Sequence, residues 1–168
     1  MKGIYVRSIY FIAAGIFLLM LFSLFIKKEQ RKKRFSILPE FSYTEVYGQE
    51  TSTSSLPLFD GYAIILFNPG CEACQLEAQD ISDNLELLEN YCLLFLSPDS
   101  LHRIETFIMD YQLYEKGNVF YGQVNLDTID AKLGKSAIPW SFVFDENKKL
   151  VKSSIFIYAS DFDNYISK

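Results

Sequence analysis

The run Ala63-Ile64-Ile65-Leu66-Phe67 constrains this chain more than any other feature. Five consecutive apolar residues with β-branched content, entered through Gly61-Tyr62 and broken by Asn68-Pro69-Gly70, read as a buried central strand. Beyond the break, Ala78, Ile81, Leu85 and Leu88 recur at three- to four-residue spacing. That period predicts an amphipathic helix over about Cys71 to Glu89. Cys71 and Cys74 therefore fall in the first turn of a helix that directly follows a buried strand.

The remaining pattern alternates strands with helices. Phe41 to Gln49 alternates loosely and reads as a first strand, with Gly48 in or near a turn. Thr51 to Pro57 is hydroxyl-rich and reads as a loop. Cys92 to Leu96 is a second apolar strand, and Ser97-Pro98-Asp99-Ser100 supplies turn and capping chemistry. Leu101, Ile104, Ile108 and Tyr111 mark a second amphipathic helix. Val119 to Tyr121 is expected as a third strand, and Thr128 to Leu133 as a short helix ended by Gly134. Ile138-Pro139 leads a strand at Trp140–Phe144. Asp145 to Lys148 reads as a turn, Leu150 to Ile157 as an antiparallel return, and Asp161 to Ser167 as a final short helix. This order predicts an α/β fold with a mixed central sheet flanked by helices.

At 168 residues the chain suits one domain with a little to spare. The surplus lies at the start. Ile9 to Ile26 carries no charge and a single hydroxyl, Ser23. As a helix these residues would span about 27 Å, close to the hydrocarbon thickness of a bilayer. No small-residue cleavage site follows, as a signal peptide would need, and no Cys stands where a lipoprotein leader would need one. The expected organisation is a tail (1–8), a transmembrane anchor (9–26) contacting membrane lipid, a basic linker (27–36) and a folded domain (37–168).

Charge divides the chain at the same place. Residues 1–34 hold eight Lys/Arg and one acid, Glu29; residues 35–168 hold eight Lys/Arg and 20 Asp/Glu. An acidic domain repels phosphate backbones, so nucleic acid is excluded as a partner. The basic run Lys27–Arg34 suits lipid headgroups. It also creates a conflict. Six Lys/Arg after the apolar segment favour a cytoplasmic C-terminal side, whereas disulfide chemistry favours the outside.

The cysteine pair carries the chemistry. Unpaired N–H groups and the dipole at a helix start stabilise a thiolate. The first cysteine of such a pair is the more exposed, so Cys71 is the candidate nucleophile. Cys74, one turn further in, can attack the mixed disulfide and release the product. A structural disulfide, half of a zinc site and two ordinary cysteines remain open for the same spacing. Zinc takes four ligands, and neither Cys92 nor His102 sits at a ligand-like spacing; no metal and no cofactor are expected. Cys92, in a buried-strand pattern, reads as core. His102 reads as a solvent-facing helix residue. There is no Gly-rich phosphate loop, and one His makes no Ser/His/Asp grouping.

From Leu38 to the C-terminus the pattern resembles the thioredoxin superfamily, specifically its membrane-anchored TlpA/ResA-like branch. The matching residues are Leu38-Pro39-Glu40-Phe41 and Gly61-Tyr62 entering the strand, then Cys71-Glu72-Ala73-Cys74. Ala137-Ile138-Pro139-Trp140 before Ser141-Phe142-Val143-Phe144-Asp145 completes them. The resemblance implies a thioredoxin-like fold and a cis bond between Ile138 and Pro139 beside the cysteines. It also implies a loop, Ile138-Pro139-Trp140, that binds an extended client and keeps metals off the thiols. The implied activity is thiol–disulfide exchange or reduction in client proteins, with electrons from a transmembrane or soluble donor. The implied place is the outer face of a bacterial inner membrane. The resemblance is longer and more specific than the flank count, so the extracytoplasmic side is chosen.

Several positions depart from the family. Gly70 stands where an aromatic residue usually precedes the first Cys, and Glu72-Ala73 where the intervening dipeptide often holds Pro. Glu72 adds negative charge beside the thiols, which opposes thiolate formation on Cys71 and suggests a more reducing centre. Ile65 occupies the position of the buried acid that moves the resolving thiol's proton, leaving Glu77 or water to do so. Trp140, where Thr is common, can stack near the cysteines or pack in the core. These deficits motivate an alternative, a non-catalytic thioredoxin-fold binding module with a structural disulfide. A peroxidase is less well supported, because Asn68 stands where peroxiredoxins need Thr. So is a copper carrier, because His102 is not where such carriers place their ligand.

Overall fold

The computed structural model describes residues 15–24 and 35–166. The chain divides into two units, Met1–Arg34 and Phe35–Lys168. In the first, residues 15–24 are helical, and Phe17, Leu19 and Phe22 are exposed. Both ends of the expected span 9–26 and the linker residues 27–34 lie outside the described residues. Among the described residues, no helix is long and apolar enough to cross a membrane.

The second unit is built on seven strands and four α-helices. The strands are β1 (Ser42–Glu45), β2 (Glu50–Ser52), β3 (Gly61–Leu66), β4 (Tyr91–Ser97), β5 (Val119–Gln123), β6 (Trp140–Asp145) and β7 (Leu150–Ser154). The helices are α1 (Glu72–Asp83), α2 (Leu101–Asp110), α3 (Leu126–Leu133) and α4 (Phe162–Ile166). The sheet order is β2-β1-β5-β4-β3-β6-β7. β3, β4 and β5 run parallel. β6 and β7 close one side antiparallel, and β1 and β2 the other. The expected mixed sheet flanked by helices is therefore present.

Every residue of β3 and β4 is buried, as their unbroken apolar runs require of strands covered on both faces. Alternation along them feeds two cores. Ala63, Ile65, Leu93 and Phe95 face one, with Cys74, Ala78 and Ile81 of α1 and Ile104, Phe107 and Ile108 of α2. Tyr62, Ile64, Leu66, Cys92 and Leu94 face the other, with Ile129 and Leu133 of α3. Cys92 is thus a core residue on the sheet face opposite the reactive pair.

Two expectations are corrected. The helix expected to reach Glu89 ends at Asp83, and Leu85–Leu88 forms a separate 3₁₀ turn. Asn84 causes the break: its backbone is non-helical, its side chain donates to Asp80 O at 2.8 Å, and its N–H turns back to Ile81 O. Leu88 still reaches the core, which explains why the apolar spacing continued unbroken. The segment expected as loop, Thr51 to Pro57, holds the end of β2 and a 3₁₀ turn, Thr53–Ser55. The chain reverses at Gly48, whose φ of 79° admits a left-handed turn, so that residues 50–52 pair back on β1. Thr53 then donates to Pro39 O at 2.8 Å and accepts from Phe41 N at 3.2 Å.

Where β1 meets β5 the backbones approach closely. A Cβ on Gly122 would lie 2.5 Å from Thr44 O and 2.8 Å from the Tyr43 ring. Gly122→Ala is therefore expected to cost about 1–3 kcal/mol, the range for overpacking a tight site. Urea denaturation of the full chain in detergent measures this, and a loss below about 0.5 kcal/mol would contradict the close approach.

Candidate active site

The site lies where β3 ends. Leu66 is the last residue of β3, and it pairs in register with Trp140, the first residue of β6. Because these strands are antiparallel, the chain leaving β3 toward Cys71 and the chain entering β6 from Pro139 meet at the same end of the two strands. The Ile138–Pro139 bond is cis, as the resemblance implied. Cys71 and Ile138 both pack against the first core.

The loop between β3 and α1 is braced by its own polar groups. Asn68 Oδ1 accepts from Gly70 N at 2.9 Å, and Asn68 O accepts from Cys71 N at 3.0 Å. Gln75 Nε2 reaches back to Pro69 O at 2.9 Å. Cys71 is the N-cap of α1, and its side chain makes no capping bond to the helix N–H groups. Its sulfur sits at the N-terminal end of that helix.

All three cysteines are free; Cys71 is half-buried, and Cys74 is 2% exposed. The Cys74 thiol is pushed up to about 12. Burial is the main cause, followed by donation of its proton to the Cys71 sulfur; the charges of Cys71 and Glu77 add to the rise, while an N–H from Asn68 opposes it. At neutral pH Cys74 therefore keeps its proton. Cys71 is reachable at a helix start.

Of the two proton acceptors expected for the resolving thiol, Glu77 and water, the structure describes the first. Glu77 is fully buried one turn beyond Cys74, and burial lifts its carboxyl to about 7. Its Oε1 accepts from Ser141 Oγ at 2.8 Å and from Ile157 N at 3.0 Å. Its Oε2 is buried without a hydrogen-bond partner among the described residues. Ser141 is the cross-strand neighbour of Ile65, the position that lacks the family's usual acid. A buried acid is thus supplied from α1 rather than from β3, within electrostatic reach of the Cys74 thiol. The legible signal was a carboxylate on an apolar helix stripe, at i+3 from one cysteine and i+6 from the other.

Trp140 does not stack on the cysteines. Alternation along β6 sends Trp140, Phe142 and Phe144 to the second core, and Ser141 and Val143 to the cysteine face. The indole Nε1 donates to Ser153 Oγ at 2.8 Å, and Lys135 Nζ lies 4.3 Å from the ring centroid. His102 is exposed on α2. Among the described residues no group of His, Cys, Asp or Glu could hold a metal.

Residues 36–153 match the model of the AhpC/TSA family. No curated protein matches the sequence at a significant level. Solved structures share the fold. A thiol:disulfide interchange protein of the thioredoxin family from Chlorobium tepidum is 20% identical, with a TM-score of 0.62 over 80% of this chain and 95% of that one. The thioredoxin domain of a thiol-disulfide oxidoreductase from Bacteroides vulgatus is 13% identical, with a TM-score of 0.62 over 78% and 93%. A secreted Mycobacterium tuberculosis disulfide oxidoreductase homologous to E. coli DsbE is 14% identical, with a TM-score of 0.61 over 76% and 94%. At these identities the likeness establishes the thioredoxin-like fold.

The raised Glu77 carboxyl makes stability depend on pH. Between its ordinary 4.5 and about 7 the folded state binds the proton more tightly than the unfolded chain does. Its contribution is present below 4.5 and is lost as pH rises to 7. Glu77→Gln keeps a neutral acceptor and does not titrate. The variant should gain on the wild type by up to about 3 kcal/mol between pH 4.5 and 8. Paired urea titrations across that range measure the gain; a difference that stays constant with pH would refute a raised Glu77.

Proposed function

We propose that this chain, which belongs to the AhpC/TSA family, is a membrane-tethered protein thiol–disulfide oxidoreductase working through Cys71 and Cys74. One observation carries the reading: a reachable cysteine and a buried, protonated one share the first turn of α1, with a buried acid beside the second. An inert pair does not need a buried proton acceptor beside it. A dithiol that must release its second proton does.

In the reducing direction the Cys71 thiolate attacks one sulfur of a client disulfide. The S–S bond breaks, the other client sulfur leaves as a thiolate, and a mixed disulfide forms. The Cys74 thiol passes its proton to the Glu77 carboxylate, directly or through water, and attacks the Cys71 sulfur. The second client thiolate leaves, and Cys71–Cys74 is the new disulfide. The client gains two electrons and the dithiol loses two. A transmembrane or soluble donor then reduces the pair again. The loop Ile138-Pro139-Trp140, entering β6 at the strand end where β3 leaves for Cys71, is the proposed rest for the client backbone.

Insulin disulfide reduction by the full chain in detergent tests this. Cys71→Ser should fall to background, and Cys74→Ser should accumulate a mixed disulfide with the client. Equal rates for wild type and Cys71→Ser would leave the binding module with a structural disulfide as the better reading.

The tether and its orientation belong to the same proposal. The uncharged residues 9–26, with exposed apolar side chains over the described part, suit a bilayer. Disulfide exchange suits the extracytoplasmic face of a bacterial inner membrane, against the pull of the basic flank 27–34. A membrane-impermeant thiol reagent applied to intact cells should label Cys71. Labelling only after the cells are opened would put the domain on the cytoplasmic side.

A further inference from the structure

Arg103 is the only arginine beyond residue 34, in a region holding 20 acids. It occupies the first turn of α2, directly above the loop that leads to Cys71. Its Nη1 lies 2.7 Å from Asp99 Oδ2. Its Nη2 lies 3.7 Å from the point a Cβ on Gly70 would occupy. The Asp99 side chain is 14% exposed and that of Arg103 54%. The guanidinium is therefore fixed from below by a largely buried carboxylate and open to solvent above. Among the described residues Nη2 has no hydrogen-bond partner.

A cleft of about 290 Å³ opens at the same place, lined by Pro69, Gln75, His102, Arg103, Phe107 and Asp110. A Cβ at residue 70 would already be in van der Waals contact with the guanidinium, so glycine leaves the approach to it less crowded than a larger residue would. Asp110 stands seven residues on, about 10 Å along α2, so the positive end of the cleft is the one at Arg103, beside Gly70. A guanidinium with a free N–H edge takes a carboxylate through charge-assisted hydrogen bonds. On a strongly acidic domain Arg103 is a cation beside the loop that carries Cys71, and its open edge can hold a negative client group despite Glu72 and Asp110 nearby.

We propose that Arg103 is a specificity-determining residue of this centre, binding a carboxylate carried next to the disulfide that Cys71 attacks. The inference rests on the oxidoreductase reading above. The carboxylate belongs either to an acidic side chain flanking the client cysteine or to a small-molecule disulfide. In both cases the bound anion places the S–S bond over Cys71, and the exchange proceeds as written above.

The test is single-turnover reduction by the pre-reduced full chain in detergent. One arm compares two peptide disulfides that differ only by Glu or Gln beside the cysteine. The other compares oxidised glutathione with its ethyl ester. Wild type should prefer the carboxylate-bearing partner in at least one arm by about fivefold, the upper range for an exposed ion pair. The arm that shows the preference identifies the source. Arg103→Gln should bring that ratio close to one, Arg103→Lys should retain part of it, and raising salt from about 0.05 to about 0.5 M should shrink it. These ratios compare two substrates on one protein, so a loss of folded material does not imitate the effect. Turnover with no preference in either arm, or an unchanged ratio in Arg103→Gln, overturns the inference and leaves the oxidoreductase reading standing. No turnover beyond that of Cys71→Ser overturns both.

Discussion

Strand β3 is hydrogen-bonded on both sides and apolar on both faces, and the site depends on that burial. Its parallel pairing with β4 and antiparallel pairing with β6 fix its end to within a residue. A slip of one residue would turn Ala63 and Ile65 toward the wrong core. The register that seats these side chains also sets Leu66 opposite Trp140. The nucleophile loop and the Pro139 loop then have no choice but to emerge together. The site is a consequence of core packing at one strand.

The same packing creates the electrostatic problem the site uses. Laying α1 on the sheet drives Cys74 and Glu77 out of water. Burial favours the neutral form of both, a thiol at about 12 and a carboxyl at about 7. In the proposed mechanism the thiol, the weaker acid, keeps its proton until the mixed disulfide forms, and the carboxylate is the acceptor. Ser141 and the Ile157 N–H occupy one carboxyl oxygen and leave the other without a partner. Asp80, one turn along α1, accepts from Ala159 N at 2.8 Å, so the segment after β7 is held to α1 at two points.

Much of the fold was legible because burial leaves periodic marks. The runs at 63–67 and 92–96, the Cys pair after a strand break, Gly134 as a helix stop and the Pro-led hairpin lie where the pattern put them, although the return strand expected to reach Ile157 ends at Ser154. Failures came where one period served two elements. Ala78, Ile81, Leu85 and Leu88 keep helical spacing across Asn84, because α1 and the following 3₁₀ turn both face the same core. The short β2 lay in a hydroxyl-rich stretch that carries no apolar alternation; only its pairing with β1 makes it a strand.

The sequence by itself determined the chemistry and its frame: two thiols at a helix start after a buried strand, and an apolar segment set apart from an acidic domain. These follow from neighbours along the chain, where spacing and period suffice. Tertiary structure decided what surrounds the thiols. It set Glu77 against Ser141 across 64 residues and Ile157 across 80, turned Trp140 to the far face of the sheet, and brought Arg103 over Gly70. Each depends on which strands pair and which face each residue takes. Pairing and register are properties of the folded sheet, and no local period along the chain records them.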